Sequence, residues 1–196
     1  MAGRPTNRDE RHTQVMQAFL RCVARYGLDG ASLSQIATEA GLTRPLIRHH
    51  LGNREDMIAA LTDHVLDTFA DQTDAMVSAL PRDRPSATLV DFLFSETAAT
   101  EPDMVLAFAA LTARAMDDPE LRQRCRASLL MFETAIAKTL QGDHPSVDPA
   151  RVDAVAHGIT ALYFNRTSLA PLDMPQSWQR HARAVAQHLL HELDQA

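Results

Sequence analysis

Two features common in other protein classes are missing from this sequence. No apolar run approaches the roughly 20 residues that a membrane-spanning helix requires, and no segment sustains the every-second-residue alternation of a half-buried strand. Neither a membrane span nor a sheet is therefore expected. Cysteine is scarce: Cys22 and Cys125 stand far apart, without Cys-x-x-Cys spacing. That excludes a disulfide framework and a thiolate zinc site, and leaves both as small core residues of a protein in a reducing cytosol. The opening Met-Ala-Gly-Arg-Pro stretch is charged rather than apolar, unlike a secretory leader, so the expectation is a soluble, cytoplasmic chain. His-Glu-x-x-His, Walker, Gly-x-Ser-x-Gly and dinucleotide motifs are all absent. With them goes any visible catalytic site, and no cofactor or metal is expected.

Charge is present but unevenly placed. The net charge is −6 over 196 residues, yet residues 1–60 carry eight Arg against six acids, which leaves the remainder at −8. A basic module joined to an acidic body suits a protein that offers only one end to phosphates. A solvated surface gives the same split.

Apolar positions recur at helical spacing nearly throughout, which predicts an all-α fold of about nine helices. Val15, Phe19, Cys22 and Tyr26 define a first helix over about 8–26 that Gly27 can end. Ser32 and Gln35 have the spacing of a capping box for a short helix over about 33–40. Gly41 permits a left-handed turn, and Thr43 and Pro45 open another short helix reaching about His50. Asn53 caps a long fourth helix with Glu55 and Asp56 in its first turn, where the helix dipole favours negative charge. Pro85, Pro102, Pro119 and Pro149 mark four further starts, and a stripe of Trp178, Ala182, Val185, Leu189 and Leu193 marks the last helix.

A helix, a capped short helix, a glycine turn and a second short helix is the arrangement that places the second short helix in a major groove. The residues sharpen it. Ile36-Ala37-x-x-Ala40-Gly41-Leu42-Thr43, followed by His50-Leu51-x-x-Arg54-Glu55-x-Met57-Ile58, resembles the N-terminal domain of the TetR family, over residues 11–58. Four positions depart from the family pattern: Pro45 stands where Gly is usual, Arg48 where Tyr is, Leu51 where Phe is, and Arg54 where Lys is. The Arg48 change alters the usual DNA contact, because a guanidinium pairs with phosphate or with guanine O6 and N7.

The third helix should expose Thr43, Arg44, Pro45, Arg48 and His49 and bury Leu42, Leu46 and Ile47. Arg44 and Arg48 are expected to read bases, with Pro45 and His49 as shape contacts. Ser32, Thr43, His50 and Arg54 are expected on phosphates. A short basic arm with Arg4 and Arg8 either follows the DNA backbone or minor groove or is an untethered terminus.

The resemblance implies a helix-turn-helix domain at 1–52 and an effector-binding and dimerisation domain at 53–196. It also implies a homodimer through the last two helices, double-stranded operator DNA of palindromic sequence as partner, and a small-molecule effector that releases a repressor from DNA. Candidate dimer residues are Val155, Ile159, Leu162, Trp178, Ala182, Val185 and Leu189. Candidate pocket residues are Met76, Phe92, Met104, Phe108, Thr112 and Met131, with Phe132, Tyr163, Phe164, Asn165 and Arg166; Met and Phe at helical spacing equally make plain core. His181, His188 and His191 fall at i, i+7 and i+10 near the C-terminus and read as surface rather than as a metal set. Two alternatives stay open: an all-helical carrier or enzyme, and a protein-interaction adaptor using the same N-terminal helices.

Overall fold

The structure, a computed structural model, describes residues 7–95 and 102–195. Among them are nine α-helices and no strand. In chain order they are α1 (Asn7–Gly30), α2 (Leu33–Ala40), α3 (Arg44–Leu51), α4 (Arg54–Ser78), α5 (Pro85–Leu93), α6 (Pro102–Arg114), α7 (Pro119–Asp143), α8 (Pro149–Ser168) and α9 (Gln176–Asp194), with a short 3-10 turn at Ala170–Leu172.

Local chemistry places most of these boundaries. Ser32 accepts the Gln35 amide while the Gln35 side chain accepts the Ser32 amide at 2.9 Å, so the capping box is complete. Gly41 ends α2 at φ 63, ψ 32, a left-handed cap that any Cβ would strain. Asn53 Oδ1 accepts the amides of Glu55 and Asp56 at 2.9 and 3.0 Å, and Asp56 Oδ2 accepts the Asn53 amide in return at 2.9 Å. Asp118 and Asp148 cap α7 and α8 through the amides of Leu121 and Ala150. One boundary differs from expectation: helical backbone resumes after Gly27 (φ 72, ψ 171) and runs to Gly30, so α1 ends in a kinked extra turn rather than at Tyr26.

The contacts cluster into two compact units. The first takes the chain up to Asp67 together with Asp103–Cys125; the second takes Thr68–Pro102 and Arg126 onward. This division by contact falls inside α4 and α7, whereas the motif boundary is set after residue 52.

Within the first unit, Val15, Phe19, Ile36, Ile47, Leu61, Val65 and Leu111 are fully buried. Exposed ion pairs ring this core, Arg124 with Asp63 at 2.6 Å and Arg114 with Glu55 at 3.3 Å. Cys22 and Cys125 are both buried and unpaired. Burial pushes each thiol above its ordinary range, and Glu39 adds to the effect at Cys22.

The second unit is built around Leu89, Ile136, Leu140, Ile159 and Leu193, drawn from α5, α7, α8 and α9. Helices α8 and α9 approach closely at Gly158, where an added Cβ would meet Leu189 Cδ1 at 2.8 Å. Arg183 and Asp91 join α9 to α5 at 2.6 Å.

Candidate nucleic-acid interface

The short helix α3 is held from behind by α1 and α2. Ile47 and Leu51 are its buried anchors, and Leu42 and Leu46 are half-buried beside them. Two polar ties fix α2 against α1: Gln14 Nε2 donates to the Ala40 carbonyl at 2.8 Å, and Arg21 pairs with Glu39 at 2.6 Å. With its rear face so fixed, α3 turns the other face outward.

Thr43, Arg44, Pro45, Arg48 and His49 are all exposed. Arg44 and Arg48, one helical turn apart, make no hydrogen bond or ion pair within the described residues. Thr43 stands exposed at the N-cap and gives no side-chain capping bond, and Pro45 leaves one amide fewer to cap in the first turn. His50 is half-buried, with its ring 5.4 Å from that of His49 and 6.4 Å from that of His12 on α1. On α4, His64 has its basicity lowered first by burial and then by neighbouring His12.

Two expected phosphate ligands have other work. Arg54 donates from both terminal nitrogens to the carbonyls of Leu28 and Ala31, so its guanidinium clamps the α1–α2 turn instead of standing free. The Ser32 hydroxyl is exposed, yet it already donates to Gln35 Oε1 at 2.7 Å. Sequence gave no sign of the Arg54 clamp, since its acceptors are main-chain atoms more than 20 residues upstream. Arg4 and the side chain of Arg8 lie outside the described residues.

Residues 15–61 match the family described as "Bacterial regulatory proteins, tetR family", the same stretch that builds this outward helix and its support. The chain belongs to the TetR family of transcriptional regulators. Similarity to curated members runs well past the DNA-binding helices: the chain is 28% identical to the HTH-type transcriptional regulator BetI of Burkholderia mallei over 158 residues, 79% of this chain and 78% of that protein. Among solved structures, a TetR-family regulator from Cytophaga hutchinsonii superimposes with a TM-score of 0.71 at 18% identity, covering 97% of this chain and 98% of the other. One from Haloarcula marismortui does so with a TM-score of 0.70 at 17% identity, covering 93% and 97%. At such identities these two speak for the fold, and they match it over nearly the whole chain.

The body of this TetR-family regulator redistributes the residues expected to bind effector and partner. Val155 and Ile159 are 6% and 0% exposed in the core of the second unit, so their expected place at a dimer surface is corrected. Four residues apart on one face of α8, they join the same buried cluster as Leu89, Ile136 and Leu140. Trp178 and Val185 do stand exposed on α9, with Leu162, Ala182 and Leu189 half-buried.

Of the expected pocket residues, Met104 and Phe108 are buried in the first unit, while Met76 and Tyr163 are buried in the second. Phe132, Tyr163 and Phe164 form one aromatic group with ring centroids 5.5 to 5.9 Å apart. Phe92, Thr112 and Asn165 are exposed, and Met131 is half-buried. Arg166 donates to the carbonyls of Leu93 and Ser95 at 2.8 Å each, closing off the end of α5. His188 and His191 sit 3.7 and 3.4 Å from the carboxylates of Glu192 and Asp194.

Proposed function

We propose that this TetR-family regulator is a ligand-responsive repressor that binds a palindromic operator as a cytoplasmic homodimer and performs no catalytic step. One observation carries the DNA-binding part. Arg44 and Arg48 project from the exposed face of α3 without a partner among the described residues, on a helix whose rear face is anchored by fully buried Ile47. Leaving two guanidiniums unpaired on a rigid short helix gains the free protein little, but it pre-positions two forked donors for guanine edges.

In this reading Arg44 and Arg48 read bases, Pro45 and His49 shape the fit, and Thr43, His50 and Ser32 face phosphates. Arg54 supports the turn from inside. Exposed Trp178 and Val185 on α9, with Leu162 on α8, serve the partner copy. Dimerisation sets two α3 helices about 34 to 36 Å apart, one helical turn of DNA. An effector bound in the body lowers operator affinity only if it prefers the DNA-incompetent arrangement, since equal affinity for both shifts nothing.

The test is selection from random DNA with the purified protein. The selected fragments should carry inverted half-sites about 10 base pairs apart, and their affinity should fall steeply with salt. Recovery of asymmetric sequences, or binding indifferent to salt, sinks the proposal.

A further inference from the structure

We propose that a groove between the second half of α4 and the second half of α7 binds a small amphipathic anion, namely an aliphatic carboxylate of medium chain length. The site lies wholly within the second unit and does not depend on the operator reading.

The groove has a volume of about 650 Å3, inside the usual range for small-molecule sites. Its floor is apolar: Val77 and Leu80 from the α4 side, Met131 and Ala135 from α7, all half-buried. Two cations flank it, Lys138 on α7 and Arg82 in the turn after α4. Both are exposed, and no hydrogen bond or ion pair within the described residues engages either one.

The direction of the occupant follows from local bonds. Ser86, at the start of α5, donates from its amide to Asp143 Oδ2 at 3.0 Å and from its hydroxyl to the Thr139 carbonyl at 3.4 Å. These bonds fix the Arg82 turn beside the C-terminal end of α7, so Arg82 and Lys138 share one end of the groove. Met131 precedes Lys138 by seven residues on the same face of α7, about 10 Å along the axis. Asp74 lies about one turn inside the C-terminal end of α4, on the side away from Arg82. A carboxylate head therefore finds both cations at one end. Its tail runs over Ala135 toward Met131, while a cationic head would meet Lys138 and Arg82 with like charge.

Lys138 is the only lysine in the chain, where every other basic side chain of the nineteen is arginine. An amine-reactive ester thus labels only Lys138 and the α-amino group, the latter serving as internal reference. The full-length protein is labelled without DNA in the presence of hexanoate, octanoate or decanoate, and the rates are read by mass spectrometry. Octanoate and decanoate should slow labelling at Lys138 alone. Calorimetric affinity should rise about two- to fourfold per added methylene. Arg82→Glu with Lys138→Glu should weaken octanoate at least about tenfold while leaving the circular dichroism melt unchanged, because both side chains are exposed.

Three results overturn the proposal. One is no protection at Lys138; another is equal protection by the uncharged alcohol of the same length. The third is a double variant that loses self-association in sedimentation while the parent binds no carboxylate, which assigns the groove to a second copy of the chain. None of these touches operator binding, which is measured separately on the selected DNA.

Discussion

The two compact units differ in which side chains their outward helices present. In the first, the outward helix α3 and its cap show arginine, histidine, proline and threonine, and the exposed large apolar side chains, Tyr26 and Met116, lie elsewhere on the unit. In the second, large apolar side chains also reach the surface, with Phe92 at 48%, Leu130 at 53%, Trp178 at 38% and Val185 at 47% exposure. A face that meets phosphate needs charge without a protein partner; a face that meets a protein copy or a small molecule needs apolar area rimmed by polar groups. The difference separates what each unit recognises from what holds it together.

The sharpest way to break that separation is to remove the paired guanidiniums. Arg44→Ala with Arg48→Ala should lower operator affinity about 10²- to 10³-fold, since each base-reading arginine contributes about 1 to 3 kcal/mol. The thermal midpoint should stay unchanged, because both side chains are exposed and have no partner among the described residues. A loss of stability would show that α3 uses them internally.

Next comes a pair in the body. Ile159→Ala should destabilise by about 2 to 5 kcal/mol in denaturant unfolding, as a fully buried side chain leaves a cavity. Val185→Glu should leave the monomer's fold intact and shift sedimentation toward monomer, given its 47% exposure on α9. If Ile159→Ala instead dissociated the protein without destabilising it, the correction that moves this residue into the core would fail.

A third change tests the local signals of the first unit. Gly41→Ala has open space around the new Cβ but keeps φ at 63, so the cost is backbone strain alone, about 1 to 2 kcal/mol. Gly52→Ala meets a harsher strain, at φ 74 and ψ −145 where essentially only glycine sits, and adds a collision, because a Cβ there would sit 2.4 Å from Asp56 Oδ2, an oxygen already bound to the Asn53 amide. It should be the more damaging of the two, and a reversed order in thermal melts would contradict the capping geometry at the start of α4.

These contrasts explain what was readable in advance. The limits of α2 and α3, and the starts of α4 through α8, follow from side chains that bond amides two or three residues away, or from prolines that fix the first turn. Such signals lie within one short window of sequence. The outward face of α3 was legible for the same reason: Leu46 and Ile47 stand beside Arg44 and Arg48 at a spacing that fixes which side each takes.

The body offers no such windows. That Ile159 faces the core while Trp178 and Val185 face outward depends on how α5, α7, α8 and α9 pack, which stripes wide enough for both roles do not settle. Arg54 and Arg166 escaped for a related reason. Each gives its donors to carbonyls, 23 to 26 residues away for Arg54 and 71 to 73 for Arg166, and a carbonyl carries no residue identity to recognise.

The smallest effect belongs to His64. Burial holds its native basicity below that of the unfolded chain, so the folded state binds fewer protons. Its penalty is absent above the unfolded value of about 6.5 and grows as pH falls below it. Stability should thus decline slightly between about pH 6.5 and 5, and His64→Gln should flatten that part of the curve in pH-dependent melts. An unchanged slope would place the ring in water.

The fork that Arg54 drives into the carbonyls of Leu28 and Ala31 makes a rivet between the first residue of a 25-residue helix and the corner ahead of α2. While it holds, a shift at the start of α4 drags that corner along, and α2, whose capping serine is the next residue after Ala31, follows. The start of α4 and the corner leading into α2 are thereby joined through one side chain bonded to two main-chain oxygens.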